Sequence, residues 1–198
     1  SQALGIEAAA ATDAWQKAEK IFAQTETPVK GPATIFAGAQ ASALNRLLER
    51  NLSVRVSSAA IEIDEPIRIV GKGVSLDLGS AILRASEAIP YALRIERAEN
   101  AIVQGGEFAA GDSAILVNIS KHVLILDSRI HDLSGSGIVV TRSSAVTIRG
   151  NEIRSMGHAP IVLHGGTDSS IVERNEIVQN TGASNMSAGI VLSDRNRD

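Results

Sequence analysis

Apolar and small residues recur along the second half of the chain in one fixed arrangement. The clearest copy is VTIRGNEI at residues 146–153, where apolar positions alternate and a turn residue follows. The other copies contain Leu76, Leu78, Ala81 and Leu83; Ala101, Val103, Gly106 and Phe108; Val123, Ile125, Ser128 and Ile130; and Ser170, Val172, Asn175 and Ile177. Successive copies are 25, 22, 23 and 24 residues apart. A repeat of this length cannot bury its apolar face alone, so the copies must stack.

Within each copy, the alternation predicts a short strand with one face turned inward. A second alternating strand follows each copy after a loop, with inward residues Leu93 and Ile95, Ile115 and Val117, Ile138 and Val140, Ile161 and Leu163, and Ile190 and Leu192. Short strands stacked at about 4.8 Å per coil predict a parallel β-solenoid. Asn151 and Asn175 fall at equivalent corners, where they are either rungs of an amide ladder or plain turn residues.

The segments VTIRGNEI, IVERNEI and GIVV resemble the right-handed parallel β-helix of the pectin-lyase-like superfamily, over roughly residues 52–198. The resemblance implies an all-β solenoid. It also implies one of several functions, since the superfamily includes polysaccharide lyases, polygalacturonase-type hydrolases, uronan C5-epimerases, phage tailspikes and proteins without known activity. A looser likeness to exported bacterial β-helix repeat proteins with twin-arginine signals implies a periplasmic or secreted location.

Composition narrows the function classes. The chain has 198 residues, of which 44% are hydrophobic but only five aromatic, so the predicted core is aliphatic. A net charge of −3 gives no basic footprint for nucleic acid, and no apolar run approaches the length of a membrane span. Cysteine is absent, which excludes disulfides and thiolate chemistry. A removed signal peptide and a cloning boundary both explain the start at Ser1.

The two ends of the chain differ from the repeat. Residues 1–38 are predicted to be a helical extension and linker, with a helix at Ala8–Phe22 that covers either the solenoid end or an outward stripe. Residues 39–198 are predicted to be the β-helix, whose first segment, about Ala39 to Arg50, is a short helix that caps the open end. No matching cap follows Ile190 and Leu192. We therefore expect a longer solenoid, or a second chain covering that end.

The alternation also predicts which side chains of the second strand point outward. One row contains Arg94, Leu116, Val139, Val162 and Val191. The other row contains Glu96, Asn118, Thr141, His164 and Ser193, with Arg97, Arg142 and Asp194 just beyond. The first row is largely aliphatic, which predicts a covering helix or partner.

The second row is the candidate site for an acidic glycan. His164 is the predicted base, Arg142 the group that neutralises a uronate carboxylate, and Asn118 the residue that orients them. Glu96, Thr141, Ser193 and Asp194 are predicted to bind the substrate. The alternative is that this row is polar only because it meets water.

Other candidates are weaker. His131 and Asp132 follow a strand and are predicted to lie in a loop, near His158 of the next coil. Together with Asp168 they lack the close spacing of a metal site, so no metal or other cofactor is expected. Two functions remain open. One is an exported polysaccharide lyase or C5-epimerase, and the other is a non-catalytic β-helix that binds or scaffolds a partner.

Overall fold

A computed structural model describes residues 33–50, 52–178 and 189–193. This part of the chain forms the helix α1 (Ala41–Leu48) and parallel strands that wind around a common interior. The strands are β1 (Thr34–Phe36), β2 (Ser53–Val56), β3 (Ala60–Ile63), β4 (Ile67–Lys72), β5 (Ser75–Ala85), β6 (Tyr91–Ala109), β7 (Ser113–Asn118), β8 (Lys121–Leu126), β9 (Arg129–Leu133), β10 (Ile138–Thr141), β11 (Ser144–Arg149), β12 (Glu152–Met156), β13 (Ile161–His164), β14 (Ile171–Glu173), β15 (Glu176–Val178) and β16 (Ile190–Ser193). The predicted parallel β-helix is confirmed, whereas the predicted helix at Ala8–Phe22 lies outside the described residues.

Each coil passes through three stacked strand regions, numbered in the order in which the chain visits them. Sheet 1 contains β1, β2, the start of β5, the middle of β6, β8, β11 and β14. Sheet 2 contains β3, the end of β5, the end of β6, β9, β12 and β15. Sheet 3 contains β4, the start of β6, β7, β10, β13 and β16. The strands β5 and β6 are long because they continue around corners.

The interior is built from columns of aliphatic side chains, one from each coil. The column of sheet 1 is Val54, Leu76, Val103, Ile125, Ile148 and Val172. The column of sheet 2 is Ile61, Leu83, Phe108, Ile130, Ile153 and Ile177. The column of sheet 3 is Ile67, Leu93, Ile115, Ile138, Ile161 and Ile190. Each fully buried side chain of this kind stabilises the fold by about 1.5–3 kcal/mol relative to an exposed one.

The corner between sheets 1 and 2 contains the predicted amide ladder. Asn151 Nδ2 donates to Asn175 Oδ1 at 2.9 Å, and the Asn151 backbone N–H donates to the same oxygen at 3.0 Å. One coil earlier, Ser128 N–H donates to Asn151 Oδ1 at 3.0 Å. Asn151 is 1% exposed, so its side chain satisfies backbone groups that water cannot reach. The ladder interpretation is therefore confirmed over that of plain turn residues.

The register of one repeat copy differs from the sequence alignment. The spacing aligned Leu76 with Ala101, but the structure pairs Leu76 with Val103, two residues further on. The reason is a longer corner around Gly79, where the register between β5 and β6 shifts twice. Apolar alternation has period two, so a two-residue insertion keeps the same side chains inward and is invisible in the pattern.

The predicted cap helix is observed as α1 at the N-terminal end of the described solenoid. Leu44 and Leu48 pack into the core, and Asn45 fixes the helix to sheet 3. The Asn45 side chain donates to Glu65 Oε1 and to the Pro66 carbonyl, both at 2.9 Å, and accepts from Arg68 N–H at 2.8 Å. The helix thus closes the coil where a further strand would otherwise stack.

The solenoid begins earlier than the sequence indicated. Strand β1 lies within the predicted linker of residues 1–38 and pairs in parallel with β2, from Thr34 opposite Val54 to Phe36 opposite Val56. Three residues are too few to reveal a period, which is why the apolar pattern did not predict this strand.

At the other end of the described solenoid, the last strand of sheet 3 exposes core-type side chains. Ile190 is 43% exposed and Leu192 is 73% exposed. A longer solenoid or a covering chain at this end stays a prediction.

Among the described residues, no helix is long and apolar enough to cross a membrane.

Candidate functional site

The polar row predicted on sheet 3 forms one continuous ladder. Glu96 pairs with Asn118, Asn118 with Thr141, Thr141 with His164, and His164 with Ser193. All five residues are half-buried. Successive rungs are about 4.8 Å apart, so the ladder presents one polar side chain per step along the solenoid axis. Asp194, also predicted to contact substrate, lies outside the described residues.

Arg142 lies beside this ladder, at the corner where β10 ends. Its Nη2 donates to Asn118 Oδ1 at 3.1 Å, which folds the guanidinium back over the preceding coil. Within the described parts of the chain, no carboxylate lies within ion-pair distance of Arg142, whose side chain is exposed. By contrast, Arg94 Nη2 is held by Glu96 Oε1 at 2.7 Å. Among the described residues Arg142 therefore has no carboxylate partner, and its guanidinium bonds to Asn118, the residue predicted to orient it.

His164 opens onto a cavity of about 590 Å³ between the ends of β13 and β16. The lining also includes Leu163, Ser193 and the loop at residues 166–170. A ring that is half-buried yet borders such a space can meet a ligand and still exchange protons with water. Neither Asn118 nor Arg142 lines this cavity, but the strand register places the three residues in consecutive coils at the same edge of sheet 3.

The aliphatic row runs parallel to the ladder on the same face. Arg94 pairs with Leu116, followed by Val139, Val162 and Val191 in consecutive coils. Val139 is only 8% exposed although it points away from the solenoid interior. The outer face of sheet 3 is therefore polar along one edge and apolar along the other.

A row of hydroxyl groups, which the sequence analysis missed, fixes the strand ends that contain the site residues. Ser120 Oγ donates to the Asn118 carbonyl at 2.9 Å, and Ser143 Oγ donates to the Thr141 carbonyl at 2.8 Å. Thr167 Oγ1 does the same for the His164 carbonyl at 2.9 Å. Ser120 and Ser143 are buried, so their bonds hold the ladder in place. Their signal in the sequence was a hydroxyl residue two or three positions after Asn118, Thr141 and His164.

Sheet 2 presents a different outer face, on which charged residues neutralise one another. Arg154 Nε lies 2.6 Å from Glu152 Oε1, and Arg154 Nη2 lies 2.9 Å from Glu176 Oε1. Arg129 Nε lies 3.7 Å from Glu152 Oε2. These arginines are already paired with carboxylates. They are therefore less able than Arg142 to bind the carboxylate of a uronate.

His131 belongs to the same face, and the structure corrects its predicted position. It lies within β9 and pairs with Arg154, whereas His158 bonds through its backbone to Gly135. The His131 ring contacts two carboxylates, with Nδ1 2.9 Å from Asp132 Oδ2 and Nε2 3.3 Å from Glu107 Oε1. Burial lowers the pKa of His131, but the bonds to Asp132 and Glu107 outweigh it and raise the pKa above its ordinary value.

We expect this cluster to make stability depend on pH. Because the folded-state pKa of His131 is raised, its contribution is complete below the unfolded-state pKa and is lost as the pH rises through the folded-state pKa. Urea unfolding from about pH 6 to about pH 9 should show this loss in the native chain and not in His131→Gln. His158→Gln is the matched control and should keep the loss. An identical pH dependence in native protein and His131→Gln would contradict the prediction.

The sequence and the fold of this chain were both compared with those of known proteins, and each has a counterpart. The model of a family described as a right-handed β-helix region matches residues 73–197. The crystal structure of an alginate lyase from Paenibacillus sp. strain FPU-7 is similar with a TM-score of 0.48 and 14% identity, over 82% of this chain and 74% of that one. The sequence matches none of the curated proteins with which it was compared. At such identity and TM-score, the likeness to the lyase assigns no function.

Proposed function

Because this chain belongs to the right-handed β-helix family, we propose that it is an extracytoplasmic protein that acts on an acidic polysaccharide bound along the outer face of sheet 3. A fold by itself does not assign an activity, so the proposal rests on the site. The observation that supports it best is Arg142, which forms no ion pair with a described residue and bonds to Asn118 beside the in-register rungs Thr141 and His164. A guanidinium without a carboxylate partner suits the carboxylate of a uronate.

The reaction that fits this arrangement begins with removal of the C5 proton of a uronate. The His164 ring takes that proton, and the electron pair passes toward the sugar carboxylate. Arg142 stabilises the negative charge that develops on the carboxylate oxygens. Asn118 keeps the guanidinium in position, and Glu96, Thr141, Ser193 and Asp194 hold neighbouring sugar hydroxyls.

Two outcomes follow from the same carbanion-like intermediate. In a lyase, the electron pair forms a C4–C5 double bond, the C4–O bond breaks, and the leaving oxygen takes a proton. In a C5-epimerase, the C4–O bond stays intact and a proton returns to C5 from the opposite face. Elimination needs one base and a proton for the leaving group, whereas epimerisation needs a second proton donor across the ring.

A second function is supported by the aliphatic row beside the ladder. Leu116, Val139 and Val162 form an apolar row on this face, of which Val139 is only 8% exposed, and such a row is suited to packing against protein and not to binding a sugar chain. The aromatic platforms common in sugar sites are also scarce, since the chain has only five aromatic residues. In that case the protein is a non-catalytic binding or scaffolding β-helix, and it produces neither an unsaturated sugar nor exchange at C5.

Arg142→Gln tests the proposal by binding. Loss of a charge-assisted bond of about 1.5–3 kcal/mol should weaken the affinity for a uronate polymer about 10- to 100-fold. Calorimetric titration with polygalacturonate, alginate and hyaluronan measures the change. Arg84→Gln, at an exposed position on sheet 2, is the matched control and should bind like the native protein.

The same polymers test turnover in the native protein. An unsaturated product raises the ultraviolet absorbance and identifies a lyase, while deuterium uptake at C5 identifies an epimerase. Absence of binding to every uronate polymer overturns the proposal. Binding that depends on Arg142 but yields neither signal supports the binding function over the enzyme.

A further inference from the structure

In four successive coils of the described solenoid, the corner that follows sheet 3 turns through a residue in the left-handed conformation. Arg97 has a φ of 51°, Ile119 of 51°, Arg142 of 48° and Gly165 of 64°. They stack as a column, because Ile119 N–H donates to the Thr141 carbonyl and Arg142 N–H to the Gly165 carbonyl. Arg97 precedes Ile119 in the column, since Glu96 pairs with Asn118. The backbone of this corner, and not any one side chain, requires positive φ.

Ile119 is the residue that fits this corner least well. A β-branched side chain is strained in the left-handed region, which glycine and asparagine adopt far more readily. The other left-handed non-glycine residues that the structure describes are Arg, Asn, Ala, His, Asp or Ser, none of them β-branched. Ile119 is also 43% exposed, so burial does not offset the strain. Backbone strain at Ile119 that is not compensated by buried contacts indicates a role in binding.

The two arginines of this column concentrate positive charge around Ile119. Arg142 folds back toward the coil of Ile119 through its bond to Asn118, and Arg97 lies on the coil before that. Neither arginine forms an ion pair with any described residue. The nearby carboxylates are already engaged, Glu96 by Arg94 at 2.7 Å and Glu99 by Lys72 at 3.3 Å. Because the Arg142 guanidinium bonds to Asn118, it lies one coil step of about 4.8 Å from the coil of Arg97, and an anion bound there would reduce the repulsion between the two charges.

We infer that Arg97, Ile119 and Arg142 form a subsite for one carboxylate-bearing sugar of the bound polymer. The guanidinium groups take the carboxylate, and the exposed Ile119 side chain contacts the apolar C–H face of the ring. The inference rests on the proposed function and adds a charge contact and an apolar contact in the coils of Glu96 and Asn118, which already belong to its site. It makes Arg97 a binding residue and Ile119 a residue that determines specificity for a charged pyranose.

Ile119→Asn separates a binding role from a structural one. Asparagine relieves the left-handed strain, so the melting temperature should rise by about 2–4 °C. The affinity for polygalacturonate should nevertheless fall about threefold, since the apolar contact with the ring is lost. A rise in melting temperature with unchanged affinity would show that Ile119 is only a strained corner residue, and would overturn its assignment.

Arg97→Gln tests the charge of the subsite. Affinity for polygalacturonate should fall about tenfold and depend less on salt, while the fully methyl-esterified polymer should bind the native protein and the variant equally weakly. Arg84→Gln is again the matched control and should change neither quantity. If Arg142→Gln weakens binding while Arg97→Gln and Ile119→Asn do not, the subsite is wrong and the proposed function stands. If the native protein binds no uronate polymer, the subsite and the proposed function are both wrong.

Discussion

Replacing His164 by alanine is expected to lower the rate of uronate turnover at least about 100-fold, the usual contribution of a positioned general base. The ring occupies the fourth rung of the polar ladder and borders a cavity of about 590 Å³. No neighbouring rung offers a substitute, because Thr141 and Ser193 remain protonated hydroxyls near neutral pH. The initial rate of ultraviolet absorbance increase, or of deuterium uptake at C5, measures the effect.

The affinity of the same variant for the polymer separates an effect on catalysis from an effect on binding. His164→Ala should leave the affinity for the polymer within about threefold of the native value, because Arg142 supplies the main charge contact. His158→Ala, in a loop at another corner, is the matched control and should keep the native rate. Native turnover by His164→Ala would show that another group removes the proton. It would also remove the reason to place the chemistry on sheet 3.

Replacing Asn151 by alanine is expected to lower the free energy of unfolding by about 3–5 kcal/mol, a large share of the stability of a typical domain. Its side chain accepts from Ser128 N–H at 3.0 Å and donates to the Ile125 carbonyl at 3.2 Å and to Asn175 Oδ1 at 2.9 Å. Asn151 and Ser128 are both 1% exposed, so alanine would leave buried polar groups without partners and without water.

Urea unfolding of native protein and Asn151→Ala measures this effect. Asn118→Ala is the matched control, because the side chain of Asn118 is half-buried and accepts a bond from the exposed Arg142. Its cost should stay below about 1 kcal/mol. Equal costs for the two variants would show that the amide ladder contributes no more than a surface bond.

The outward rows of sheet 3 show how far the sequence leads toward the site. Their members were predicted from alternation alone, and the structure pairs Glu96, Asn118, Thr141, His164 and Ser193 rung by rung. This worked because the strands alternate strictly and recur at nearly constant spacing. The same reasoning misaligned Leu76, because a corner longer by two residues leaves the alternation unchanged.

The sequence did not predict which side chains contact one another between coils. The bond from Arg142 to Asn118 joins residues 24 positions apart, and the bond from His131 to Glu107 likewise joins residues 24 apart. Spacing brings such residues near one another but does not say which way a long side chain turns. It also does not show that Glu96 pairs with Arg94, whereas Arg142 forms no ion pair with any residue that the structure describes.

The sequence by itself determined the solenoid, its aliphatic interior, the capping helix and the two faces of each strand. These follow from a local period of two within a repeat of constant length, and hydrophobic burial enforces both. Only the tertiary structure decided which polar groups meet across coils. These contacts are the Asn151 ladder, the hydroxyl bonds beneath the site, the ion pairs on sheet 2 and the bond from Arg142 to Asn118. They depend on the direction of individual side chains and on corner lengths, and neither leaves a periodic mark in the sequence.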